Sequence, residues 1–246
     1  MGSKAISDQI MDCSLPPYGP TAQGAATAMV AMRIRKDIVS GTLPLGGRLK
    51  LQEIAARYAA GIMPIRGALR QLEGEGLVEM TPNCGARVRQ VNVELIANLF
   101  DLRIVIEALL ARRAAERIRQ EQIEALHSAE ILFEESTRRG DQASLLLANR
   151  AFHAIVNEAA NNPEAMAILA RQQDLTTALW SRFGFGHERL PGIIADHHDL
   201  IRAVKARDSE LAACIATAHA TKARNHLLAR VSASAQADTA RYAVGS

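Results

Sequence analysis

Residues 44–88 constrain the fold more than any other stretch of this chain. Leu49, Ile54, Ala55 and Tyr58 repeat at helical spacing, which predicts a helix over about Leu51–Tyr58. Ala60-Gly61 supplies a turn, since glycine adopts backbone that other residues avoid. Pro64 sits just inside a second helix, where its missing N–H costs nothing, and Gly76 stops that helix. Ile65, Ala68, Leu69 and Leu72 make its buried stripe. Leu77–Met80 and Ala86–Arg89 then alternate apolar and polar around a turn at 81–85, which reads as a β-hairpin.

Helix, turn, helix and hairpin in that order make a winged helix-turn-helix, which sets its second helix in the DNA major groove. Arg66 and Arg70 lie one turn apart on the outer face of that helix, positioned for phosphate or a guanine edge. Arg87 and Arg89 share one face of the wing, and an upstream helix at about Ala26–Ser40 carries Arg33, Arg35 and Lys36. Residues 26–92 hold ten Lys/Arg against five Asp/Glu, whereas residues 93–246 are almost neutral. A basic excess confined to this one segment is the electrostatic footprint of a nucleic-acid reader, and argues against an ordinary solvated face.

The chain has 246 residues, enough for two domains, and is 48% hydrophobic but only 4% aromatic. No apolar run reaches the length of a membrane span. Cys13, Cys84 and Cys214 are odd in number and share no metal-type spacing, which favours a reducing cytoplasm. Residues 1–25 show no periodicity and read as a flexible arm, without the basic start and apolar core of a signal peptide.

From Val93 onward no strand signal appears. Helices are expected at about Val93–Glu116, Gln120–Arg138, Asp141–Ala160, Pro163–Arg182, Pro191–Ala206 and Asp208–Val231, with breakers between them. The expected fold is therefore mainly α: a winged helix-turn-helix over 26–92, an all-α bundle over 93–232 and a flexible tail over 233–246. Asn149 and His153 are i,i+4 on one helix face. His197 shares a stripe with Leu200, Ile201 and Val204, His198 is rotated to the solvent side, and His219 lies one turn beyond Ile215. For any one histidine a hydrogen-bonded core residue is the simpler account; three inward histidines on three helices favour a shared site. Three imidazoles suit Zn²⁺ or Ni²⁺ better than Mg²⁺. Arg103 and Arg182 are candidates to clamp a carboxylate, with a surface ion pair the alternative for Arg182; Trp180 reads as core.

The first segment resembles the GntR family of bacterial transcription regulators through Pro44, Gly46, Leu49, Ile54-Ala55, Pro64-Ile65-Arg66, Ala68-Leu69, Leu72, Gly76-Leu77, Pro82-Asn83, Gly85-Ala86 and Val88. Gly61-Ile62-Met63 stand where the family has Ser-Arg-Thr, and Gly67 where it has Glu. The resemblance implies DNA contacts by Arg66 and Arg70, with Arg33, Arg48, Gln52, Asn83 and Arg87 completing the DNA-facing set. The second segment resembles the FCD domain of the FadR subfamily through Leu102-Arg103, Glu107, Phe152-His153, Asn162-Pro163, His197, Leu200, Ala203-Val204, Asp208 and His219. It implies a divalent metal at Asn149, His153, His197 and His219, with a small carboxylate effector completing the coordination. Asn149 replaces the family's Asp, so one negative charge is missing.

The expected protein is a homodimeric, ligand-responsive regulator bound to a double-stranded DNA operator, with no enzymatic activity. Two alternatives remain. One is a metal-dependent hydrolase on the bundle, although His153-Ala154-Ile155 is not the His-Glu-x-x-His arrangement. The other is a sensor whose specific DNA binding is weakened by Ile62, Met63 and Gly67.

Overall fold

Helix α1 (Ala22–Val39) opens the computed structural model, which describes residues 22–81 and 85–244. Of the expected flexible arm, residues 22–25 are helical and 1–21 lie outside the described residues. Val30, Ala31, Ile34 and Ile38 form the buried stripe of α1, which packs on α2 (Leu51–Tyr58) and α3 (Ile62–Gly74). The turn between α2 and α3 differs from expectation. Ala59 takes the left-handed conformation (φ 49°, ψ 48°), while Gly61 is extended at φ −65° and caps α3. Closing α2 with a left-handed residue directly after Tyr58 lets the Ala59 and Ala60 N–H groups donate to carbonyls of the last turn, so the strained residue must precede the glycine.

The wing has three strands: β1 (Arg48–Leu49), β2 (Val78–Thr81) and β3 (Gly85–Val88), in the order β1-β3-β2 and all antiparallel. Val78 pairs with Val88 and Arg48 with Arg87. Gly85 has φ 96°, and a Cβ there would run into the Leu49 carbonyl oxygen, so only glycine lets β1 lie this close. The two-residue β1 is too short for alternation to reveal.

The remaining helices are α4 (Val93–Arg117), α5 (Gln120–Arg139), α6 (Gln142–Ala160), α7 (Pro163–Phe183), α8 (Leu190–Lys205) and α9 (Ser209–Val244). Their ends follow local chemistry. Asn92, Asp141 and Asn162 accept backbone N–H bonds at three N-termini, and Gly140 and Asn161 close two helices in the left-handed region. Helix α9 departs from expectation by continuing to Val244 through the expected tail. The apolar periodicity fades near Val231, but no Gly or Pro interrupts the Ala-rich segment that follows, and alanine favours helix without packing.

Helix α7 joins the two halves. Its Leu175 and Ala178 are buried in the same core as Ile34, Leu69 and Leu77. Arg35 ties the seam, with Nε 3.0 Å from Asp174 and Nη2 2.5 Å from Glu75.

Gly67 is explained by the path of α1. A Cβ at 67 would lie 2.9 Å from Cγ2 of Thr27, inside van der Waals contact. The helix propensity lost to a mid-helix glycine, about 1 kcal/mol, is offset by the close approach it permits. Gly67→Ala should therefore lower Tm by about 2–4 °C, because forced repacking of about 1–3 kcal/mol outweighs the propensity gain. Adding Thr27→Ser, which removes the offending methyl, should restore it. Differential scanning calorimetry of the single and double variants checks both.

Candidate functional sites

On the reading head, the outer face of α3 carries exposed Arg66 and Arg70, with exposed Ile62 and Met63 at its start. Ile62 is 40% and Met63 64% exposed, so neither is a core residue. Arg48 and Gln52 are also exposed, and none of these four polar side chains has an ion pair among the described residues. Two other expected DNA-facing arginines also make contacts within the head. Arg33 donates to the Tyr58 carbonyl (3.0 Å) and lies over the Tyr58 ring, and Arg87 donates to the Gly46 carbonyl (2.8 Å). Arg89 pairs with Glu79 across the wing. Asn83 lies outside the described residues. A second knot fixes α2 to α1, where the Tyr58 hydroxyl (2.7 Å) and Arg57 (2.9 Å) both donate to one Asp37 oxygen. Burial pushes the Tyr58 hydroxyl up to about 12, and its bond to Asp37 adds to the shift.

In the bundle, His153 on α6, His197 on α8 and His219 on α9 meet. Their ring centres are 5.2–5.4 Å apart, and one nitrogen of each lies within 4.8 Å of the others. His197 is 1% exposed and stacks on Phe152 at 4.0 Å. Burial, with His219 beside them, pushes His153 down to about 3 and His197 well below its ordinary value. Both imidazoles are therefore neutral at pH 7, the form that ligates metals. His198 points away to Glu134 on the exposed side, as its phase requires.

Two acidic residues that sequence reasoning missed orient the rings. The Nδ1 of His197 is 2.6 Å from Oε2 of Glu130, and the Nδ1 of His219 is 3.2 Å from Oδ2 of Asp196. Burial raises the Asp196 carboxyl, but its bonds to His219 and Lys222 outweigh that and hold it low, so His219 Nδ1 donates. Burial and Glu134 push the Glu130 carboxyl up to about 8. Glu130 therefore keeps its proton at pH 7, and a cation on Nε2 of His197 would favour its ionisation, with Nδ1 donating to it and the Nε2 lone pair turned toward the other two rings. A carboxylate behind a ligating imidazole fixes tautomer and raises basicity. The His197 Nε2 and the Asn149 Oδ1 are both buried with no hydrogen-bond partner. An orphaned ring nitrogen and an orphaned amide oxygen beside two further imidazoles fit a divalent cation of the Zn²⁺ type, and the donor set lacks the carboxylates Mg²⁺ prefers.

This cluster borders a cavity of about 470 Å³. Its walls include Asn149, Arg103, Glu107, Thr176, Trp180 and Arg189. Arg103 is committed to Glu107 at 2.5 Å. Burial raises the Glu107 carboxyl, but the Arg103 guanidinium outweighs it and leaves the group below its ordinary value. Arg182 is corrected. It is exposed over the Phe183 ring and does not line the cavity, because two residues past Trp180 a side chain points about 200° around α7. Arg189 is a cavity arginine that sequence reasoning missed, as is the exposed Arg150. Trp180 is buried as expected, yet it also forms cavity wall, with Arg189 over its ring at 5.6 Å.

Comparison with known proteins agrees with this geometry. Residues 26–88 match the family described as bacterial regulatory proteins, gntR family, and residues 98–222 match the FCD domain. The chain is 28% identical over 205 residues to a probable D-xylose utilization operon transcriptional repressor of Paenarthrobacter nicotinovorans, covering 81% of this chain and 89% of that protein. It is also 28% identical to the transcriptional repressor GlaR of Escherichia coli, covering 76% and 88%. Among solved structures, Escherichia coli McbR/YncC shares the fold (TM-score 0.70, 19% identity, 82% of this chain and 96% of that one). A GntR regulator from Rhodococcus sp. RHA1 does so too (TM-score 0.69, 21% identity, 83% and 98%). The family comprises regulators, not enzymes, which removes the hydrolase alternative. The chain belongs to the GntR family of DNA-binding transcription regulators, with an FCD domain as its second half.

Proposed function

We propose that this regulator senses a small carboxylate metabolite in the FCD cavity and adjusts operator binding as a cytoplasmic homodimer. The observation that carries the reading is the buried cluster of His153, His197 and His219 with an unpartnered Nε2. Those residues and the Asn149 amide oxygen would hold Zn²⁺ or Ni²⁺. The ion would supply positive charge and open coordination positions for a carboxylate. Arg103 lies on the same cavity wall and assists through its Glu107-paired guanidinium. Relatives named for a D-xylose utilization operon and a gluconate operon support control of a catabolic operon. Among the described residues no helix is long and apolar enough to cross a membrane, in keeping with that location.

The division of labour is a reading head over 26–92 and a sensing and dimerising bundle over 93–232. Arg66 and Arg70 would meet base edges or phosphates, and Arg48 and Gln52 would meet the flanking backbone. Exposed Leu102, Val105 and Leu109 follow one another at helical spacing on α4 and are candidates for the dimer face. Helix α7 links sensing to reading, since Gln173, Thr176 and Trp180 border the cavity while Leu175 and Ala178 enter the head core.

Arg66→Ala should weaken operator binding by about 1–3 kcal/mol while Tm is unchanged, read by gel shift and calorimetry. Unaltered affinity would remove Arg66 from the interface. Ile62→Arg, at an exposed position, should leave Tm unchanged within about 0.5 kcal/mol of stability and steepen the salt dependence of binding by about 0.9 per phosphate gained. A fall in Tm would instead show that Ile62 is needed for packing.

Metal analysis tests the sensing half. Purified wild type should carry about one Zn²⁺ or Ni²⁺ per chain, His197→Ala should carry none, and Asn149→Asp should bind more tightly by supplying the missing charge. No metal in any of the three proteins would leave the histidines as core residues only.

A further inference from the structure

Arg189 is a charged group of the cavity wall that no ion pair engages among the described residues. It ends the single helical turn His187–Arg189 that connects α7 to α8, behind Gly184 and Gly186, which both have positive φ. Its guanidinium lies over the Trp180 ring, and its Nε and Nη1 are buried with no hydrogen-bond partner. Two neighbouring charges are already used. Arg103 is neutralised by Glu107, and Asp196 takes hydrogen bonds from both His219 and Lys222. Arginine does not shed its proton in a protein, so this charge stays in the cavity wall with two buried N–H groups unpartnered and only the already bonded Asp196 acting against it. Burial lowers its pKa to about 10, which still leaves it fully protonated at pH 7. A folded chain holds such a group at a cost in stability, and an anion entering the cavity removes that cost.

The histidine cluster offers a first anchor for an acidic group, and Arg189 lines the same cavity. We infer that Arg189 is a second anchor, and that the effector is a dicarboxylic acid with one carboxylate at the histidine cluster and the other on the Arg189 guanidinium. Trp180 and Phe185, stacked at 4.7 Å, give the carbon chain between them an apolar wall. The inference rests on the carboxylate reading of the cavity and narrows it to one chemical class.

The test uses full-length, zinc-loaded protein and calorimetric titration with succinate, glutarate and adipate, each against the monoacid of the same chain length. Wild type should prefer at least one diacid over its monoacid by about ten- to a hundredfold, the worth of a charge-assisted arginine–carboxylate pair. Arg189→Met should lose that preference, keep its zinc and bind monoacids as before. The ligand-free Arg189→Met protein should also melt about 2–4 °C higher, because a partly desolvated charge without hydrogen-bond partners on Nε and Nη1 is gone, whereas loss of a merely structural arginine would lower Tm. Arg189→Lys keeps charge and stem but loses the planar fork, so it should show a reduced preference. Equal binding of diacids and monoacids by wild type, or an undiminished preference in Arg189→Met, overturns the role of Arg189 and leaves the carboxylate reading intact. Failure of both acid classes to bind zinc-loaded wild type overturns both together.

Discussion

Three imidazoles facing one another at the edge of the cavity are the constraint around which the second half is built. None of the three rings is hydrogen-bonded to another, and an orphaned buried ring nitrogen costs about 1–3 kcal/mol. The bundle bears this because four helices hold the rings from behind. Helix α5 supplies Glu130 and Phe133, α6 supplies Phe152 and His153, α8 supplies Asp196 and His197, and α9 supplies His219. The acidic partners keep two rings in register, and the Phe152 stack stops His197 from rotating away. What the protein spends in stability here would become affinity for a bound cation of the kind proposed above.

Much of this was legible in the residues because breakers and stripes speak locally. Gly140, Asn161-Asn162-Pro163 and Gly184 divide the bundle, and the inward phase of His153, His197 and His219 follows from their spacing to apolar neighbours. What was not legible depends on pairs far apart in sequence. The two-residue strand β1 exists only because β3 lies beside it. Glu130 left a faint signal, a charge inside the stripe Ile123, Leu126, Ala129 and Phe133, but its partner is 67 residues away. Arg182 and Arg189 differ in which way α7 and the following turn point, and that turn has no periodicity to read.

The departures from the family pattern at 61–63 and 67 separate into two kinds. Gly67 is a packing residue, required by the closeness of Thr27 on α1. Ile62 and Met63 are surface residues, exposed on the side of α3 that carries Arg66 and Arg70. The first departure belongs to how the head folds, and the second to what the head touches. Apolar side chains at the start of a reading helix offer no charge to phosphate, but they suit contact with the methyl group of thymine.

Helix α7 has one face in the cavity wall and another in the head core, with the Arg35–Asp174 pair across the seam. An element shared in this way would carry influence in both directions. By thermodynamic linkage, the factor by which a ligand in the cavity changes the head's affinity for DNA equals the factor by which DNA changes the cavity's affinity for that ligand. If the cavity takes the metabolite proposed above, the operator is an effector in its own right. A molecule seated on its site would then answer the metabolite at a different concentration from one free in solution, and the threshold of the switch would be set jointly by protein, metabolite and DNA.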